Sequence, residues 1–105
     1  MSSELMVGVV KKTAGDRIRV ACDWGNEPLL TANAAGLAYT ITAYTVSCSG
    51  SGAPTVTGAQ KDNAYTTSAV VAGGSVGTYD LVFTATFDDP DATVLSRVGV
   101  LEVVE

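Results

Sequence analysis

The sequence predicts an all-β fold: a single two-layer sandwich of short antiparallel strands filling residues 1–105. Three observations predict it. Short segments of alternating polarity recur along the chain, separated by Gly-, Pro-, Asn- and Asp-containing turns about every 8–12 residues. The composition is 47% hydrophobic but only 16% charged, and threonine and serine carry most of the remaining polarity, which suits pleated strands and turns. Helical periodicity is nowhere sustained. The best candidate, "LLTANAAGL" at 29–37, is short and closed by Gly36, so it reads as a loop with at most one helical turn. At 105 residues the chain is long enough for one core and too short for two.

Each strand has its own justification. "LMVGVV" (5–10) suits a first or edge strand. In "DRIRVACDW" (16–24), Ile18, Val20, Cys22 and Trp24 fall on one face, with Arg17, Arg19, Ala21 and Asp23 on the other. "LAYTITAYTVSC" (37–48) is rich in β-favouring residues, and Tyr44, Val46 and Cys48 form its inward face. "SGSGAP" (49–54) is a turn of small residues. "TVTGAQ" (55–60) is a short strand, "KDN" the turn after it, and "AYTTSAVVA" (64–72) the next strand. In "GTYDLVFTATF" (77–87), Tyr79, Leu81, Phe83, Ala85 and Phe87 point inward, while Asp80, Val82, Thr84, Thr86 and Asp88 point outward. After the acidic turn "DDPD", residues 93–104 form the partner strand. Its alternation slips near Gly99, which predicts a β-bulge there.

Seven strands in this rhythm are the pattern of an immunoglobulin- or fibronectin-like sandwich, with some other all-β barrel as the alternative. "Gly-Thr-Tyr" at 77–79 opens the penultimate strand where a tyrosine corner belongs, its ring inward and its hydroxyl bonded to upstream backbone. Leu81 stands where antibody-type domains carry their second cysteine, and Trp24 lies on the second strand. The expected core therefore rests on Trp24, Tyr79, Leu81, Phe83 and Phe87 without a disulfide.

Charge and cysteine usage narrow the function classes. The net charge of −5 is uneven. Residues 1–52 balance Lys11, Lys12, Arg17 and Arg19 against Glu4, Asp16, Asp23 and Glu27. Residues 53–105 set Lys61 and Arg97 against seven acids. Such an acidic half repels phosphate backbones, so no nucleic-acid partner is expected. No apolar run reaches the length of a membrane span, so no membrane partner is expected either. "MSSELMVGVVKK" has Glu4 ahead of a short apolar run and does not read as a signal peptide. Synthesis in a reducing cytoplasm favours two small buried thiols at Cys22 and Cys48, with a disulfide as the alternative.

Little catalytic chemistry is legible. With no histidine, a serine triad and a Cys/His zinc site lose their key residue. No spacing of Asp23 or Glu27 suggests a paired-carboxylate cleft. Gly73-Gly74 with Gly77 precedes a strand and lacks a following lysine, so it is a turn and not a phosphate loop. The chain is therefore read as no enzyme and without a cofactor. Asp88, Asp89 and Asp91 sit close enough to contribute to a calcium site, but Pro90 favours a solvated hairpin turn. Tyr39, Tyr44 and Tyr65, if exposed together, could stack on a sugar. Such tyrosines also pair across strands as half-buried sheet residues.

Three segments together resemble a known family. They are "VKKTAGDRIRVACDW", "AGGSVGTYDLVFTATF" and "SRVGVLEV", joined by a Tyr/Thr/Val strand. This order is similar to the small fiber-tail adaptor proteins of tailed bacteriophages. Asp23 and Trp24 match that family's Asp-Trp strand end. Gly73, Gly74, Gly77 and Tyr79 match its glycine turn, and Arg97 falls in its closing strand. The similarity spans roughly residues 11–104 and departs at "GNEPLL" and "SGSGAP". It implies a structural protein of the virion, made in the host cytoplasm and docked as a symmetric multimer at the tail or head-to-tail connector. Tail, connector or fiber subunits would be the partners. Capsid decoration and a carbohydrate-binding adhesive module are the alternatives. The expected contact residues are Asp88, Asp89 and Asp91 in the acidic turn and Leu5, Val7 and Val9 on the first strand, which could pair edge-to-edge with a partner sheet.

Overall fold

The computed structural model describes residues 9–25, Glu27, Leu30 and 38–105. Among these, seven strands form: β1 (Val9–Thr13), β2 (Arg17–Asp23), β3 (Ile41–Ser49), β4 (Thr55–Asn63), β5 (Thr66–Ala72), β6 (Gly77–Phe87) and β7 (Val94–Val104). They build a four-stranded sheet in the order β1-β7-β6-β3 and a three-stranded sheet in the order β2-β5-β4. That order is consistent with an immunoglobulin-like sandwich, in which the second, fifth and fourth strands share one sheet and the third, sixth and seventh share the other. Pairing is antiparallel except at one edge, where β1 runs parallel to β7, Val9 opposite Val100 through Thr13 opposite Val104.

The core lies between the sheets. From β6 come Leu81, Phe83, Ala85 and Phe87, all fully buried, and Tyr79, which is nearly so. This is the inward set that alternation predicts. Leu101 and Val103 of the neighbouring β7 extend this layer, and Val20 and Cys22 from β2 and Val71 from β5 close over it. Trp24, just past the end of β2, is wholly buried. Its ring meets Phe87 edge-on at 6.3 Å, and its Nε1–H donates to Thr67 Oγ1 at 3.1 Å, so the ring enters the core with its one polar atom satisfied. Tyr44, Val46 and Cys48 pack half-buried against the same cluster. The two cysteines are free thiols, Cys22 buried and Cys48 half-buried.

The tyrosine corner is present. The Tyr79 hydroxyl donates to Ser75 O at 2.7 Å. Gly52, beside that hydroxyl, adopts φ +79°, and a Cβ there would crowd the Ser75 side chain at 3.0 Å from its Oγ, so the position favours glycine.

Three expectations are corrected. The first strand lies further along the chain than 5–10, taking in Lys11, Lys12 and Thr13; Leu5 and Val7 lie outside the described residues. "KDN" is no turn: β4 runs through it to Asn63, and the reversal falls at Ala64 and Tyr65. There the Asn63 side chain accepts the Tyr65 N–H at 2.8 Å. Finally, no bulge sits at Gly99, because β6 and β7 keep unbroken register from Gly77 opposite Val103 to Thr86 opposite Val94. The apolar pattern slips for a different reason. Arg97 and Gly99 occupy inward positions, and Val98 and Val100 face out. Irregularities fall instead on β3, between Ile41 and Ala43, and on β4, between Lys61 and Asn63 and between Thr57 and Gln60, where Gly58 takes φ +63°.

Candidate functional site

Arg97 faces inward because Trp24 and Glu27 receive it. Its guanidinium carbon lies 4.8 Å from the Trp24 ring centroid, and its Nη2 is 3.2 Å from Glu27 Oε2, both side chains being largely buried. The planar cation thus covers the edge of the core while its charge is neutralised. This cluster is a structural lid on Trp24, which accounts for a charged residue in an otherwise apolar strand.

The acidic turn is self-braced. Asp88 Oδ1 accepts the Thr40 N–H at 2.8 Å and Oδ2 the Thr40 hydroxyl at 3.0 Å, tying the end of β6 to the entry of β3. Asp89 does the same within the turn, accepting the Thr93 N–H at 2.8 Å and the Thr93 hydroxyl at 2.6 Å. Those Thr93 bonds, the hydroxyl first, hold the Asp89 carboxyl below its ordinary range. Ala92 takes φ 49° to complete the reversal. Only Asp91 of the three is fully given over to solvent without a bond of this kind among the described residues. No three acidic, cysteine or histidine side chains among the described residues converge as a metal-ligand group.

Nor do the tyrosines form an exposed trio. Tyr44 packs against the core and Tyr39 is half-buried, while Tyr65, at the β4–β5 reversal, is exposed. Sheet pairing, and not a sugar platform, is what fixes Tyr44, which lies opposite Ala85. The described residues enclose no pocket. Both thiols are pushed upward from their ordinary range by burial, Cys22 to about 11, so each is held in its unreactive protonated form.

Of the expected first-strand contacts, Val9 lies within β1 and is 62% exposed. It sits at the corner of a surface that the contact expectation did not include: the outer face of the four-stranded sheet. Cross-strand register sets this face out in rows. Val98 on β7 stands beside Val82 on β6 and Ser47 on β3; Ser96 beside Thr84 and Thr45; Val94 beside Thr86 and Ala43. Val9 and Val100 extend the area at one end. None of these positions is charged. Charge returns only at the rims, with Asp80 and the exposed Lys11–Glu102 pair at one end and the acidic turn at the other. Val94 and Val98 are 58% and 55% exposed, with Ser96 between them on the same face, so the surface is a neutral mixture of valine, serine and threonine. The outward sets of β6 and β7 were the available sequence signal, being uncharged from Val82 to Thr86 and from Val94 to Val100.

The outer face of the three-stranded sheet is different in character. Arg17 and Arg19 project from β2, and Arg19 reaches across to Ser68 Oγ at 3.0 Å and Gly58 O at 3.3 Å. The two outer faces thus differ: β2 sets Arg17, Arg19 and Asp23 on the one, while the central rows of the other carry no charge. No family model, curated protein or solved structure matches this chain.

Proposed function

We propose that this chain is a non-enzymatic structural protein of a tailed-bacteriophage virion, docking in several copies at the tail or head-to-tail connector as an adaptor for tail fibers or neighbouring rings. The observation that supports docking is the uncharged outer face of the β1-β7-β6-β3 sheet. Threonine, serine, alanine and valine are cheap to desolvate compared with lysine or glutamate, so a partner can cover this face without stranding a buried charge. The bacteriophage setting rests on the motif resemblance at Asp23-Trp24 and from Gly73 to Tyr79. The acidic turn at the rim of the face adds a fixed negative edge that steers a basic partner surface into register.

The test is co-assembly. Purified protein is mixed with isolated connector and tail complexes, or with empty capsid shells, and bound material is imaged and quantified. Retention on connector or tail complexes, weakened by a charge placed at Val98, supports the adaptor role. Retention on shells alone moves the protein to capsid decoration, and retention on neither removes the virion reading.

A further inference from the structure

We infer that β1 is a releasable strap, a strand that opens and recloses as a unit while the other six keep the sandwich closed. The inference stands apart from the docking reading and does not depend on it. At five residues β1 is the shortest strand described, and its ladder runs to one neighbour, β7. That ladder is also the one parallel pairing among the described strands. The edge strands β2, β3 and β4 have one neighbour each as well, but they are seven, nine and nine residues long and pair antiparallel. Antiparallel ladders are slightly the more stable per residue.

Packing points the same way. Val9, Lys11 and Thr13 are exposed, which leaves Val10 and Lys12 to face inward. The buried core cluster takes no member from β1, and Val10 only rests against it, half-buried. Release therefore withdraws one half-buried valine and no fully buried apolar side chain. Lys12 is the other anchor, its ammonium donating to Thr13 O and Gly73 O at 2.7 Å each. The ion pairs among the described residues are Lys11–Glu102 and Arg97–Glu27, so Lys12 has no carboxylate partner there. A cation buried against neutral carbonyls regains its hydration when the strand opens, which offsets part of what the opening costs. The pivot is the turn after β1, where the Asp16 N–H donates to Thr13 O at 3.1 Å and the Thr13 N–H to Asp16 Oδ2 at 2.8 Å. Beyond it, β2 is fixed in the core by Val20 and Cys22. The open state presents Val100 to Val104 of β7 as a bare sheet edge.

Native-state hydrogen exchange of the full chain, read amide by amide at low guanidinium concentrations, tests this. The amides that join β1 to β7 should exchange at least about a hundredfold faster than the slowest amides of β6, with a shallow denaturant dependence. From Val100 to Val103, β7 amides should split by direction, those facing β1 joining the fast set and those facing β6 staying with the slow one. Ile41→Val and, more strongly, Val71→Ala weaken the core at buried positions away from β1. Both should speed β6 exchange severalfold or more and leave β1 exchange unaltered, because the strap opens without the core. β1 amides as slow as those of β6, or with no protection at all, overturn the proposal. So does a core variant that speeds β1 and β6 by the same factor, or a β7 whose two sets of amides exchange together.

Discussion

Tyr79 shows how much one hydroxyl can organise. Its bond to Ser75 O joins the start of β6 to the loop before it, and the buried ring lies against Gly50 and Gly77. Tyr79→Phe keeps the ring and removes the donor, so unfolding free energy should fall by about 1–1.5 kcal/mol with an unchanged denaturant slope. Asp16 and Asp89 act at the same scale through the backbone N–H groups of Thr13 and Thr93. Both carboxyls titrate below their ordinary value. Such groups contribute stability above the unfolded carboxylate pKa of about 3.9, lost as pH falls through the folded value. Thermal midpoints should therefore be flat from about pH 5 to 7 and drop below about pH 4, and Asp89→Asn should shrink that drop. For the thiols the sign reverses. With Cys22 raised to about 11, its contribution is full below the unfolded thiol pKa and is lost as pH rises toward 11. At pH 8 the native protein should react with a thiol reagent far more slowly than the denatured chain, Cys22 more slowly than Cys48.

At the scale of elements, the contacts between strands and loops decide which changes are tolerated. Gly74 has φ +95°, and a Cβ there would lie 2.7 Å from Pro54 Cγ and 3.0 Å from Pro54 N. The loop between β5 and β6 thus rests directly on the entry to β4, and Gly74→Ala should cost about 1–3 kcal/mol through strain and collision together. Lys12 adds a second tie to this loop. Though 3% exposed, its ammonium donates to Thr13 O and Gly73 O, each at 2.7 Å, fastening β1 to the same region. The two ion pairs differ in kind. Lys11–Glu102 spans 3.8 Å on the surface, and Lys11→Ala should change stability by less than about 0.5 kcal/mol. Arg97 both pairs with Glu27 and covers Trp24, so Arg97→Ala uncovers an aromatic ring and leaves Glu27 without its guanidinium. A loss of about 2–3 kcal/mol is expected by chemical denaturation.

For the whole molecule, the parallel β1–β7 pair brings the first described strand against the last. The core draws on both sheets, Val20 and Cys22 of β2 and Val71 of β5 meeting Leu81, Phe83 and Phe87 of β6, so neither sheet completes it alone. Unfolding should therefore be one cooperative transition seen identically by tryptophan fluorescence and by far-ultraviolet dichroism. Both cysteines are free, so a thiol reductant should leave the midpoint unmoved. A midpoint that fell on reduction would show a covalent link that this fold does not use.

Strand number, the inward set of β6, the tyrosine corner and the absence of a disulfide were legible because each follows from local rules. A period of two marks the buried face, and a glycine turn before tyrosine marks the corner. Where the sequence misled, a distant residue was responsible. Arg97 looks like a break in alternation until Trp24 and Glu27 come to meet it. "KDN" looks like a turn until β5 pairs with it. Asp88 and Asp89 look like free acids until Thr40 and Thr93 occupy their oxygens. The sequence by itself determined what β2, β3 and β6 turn inward, since burial of alternate residues is a local pattern. Only the tertiary structure decided which strands are neighbours, and with that which outward residues stand side by side. The neutral face exists only once β3, β6 and β7 lie in register, because its rows are drawn from segments far apart in the chain.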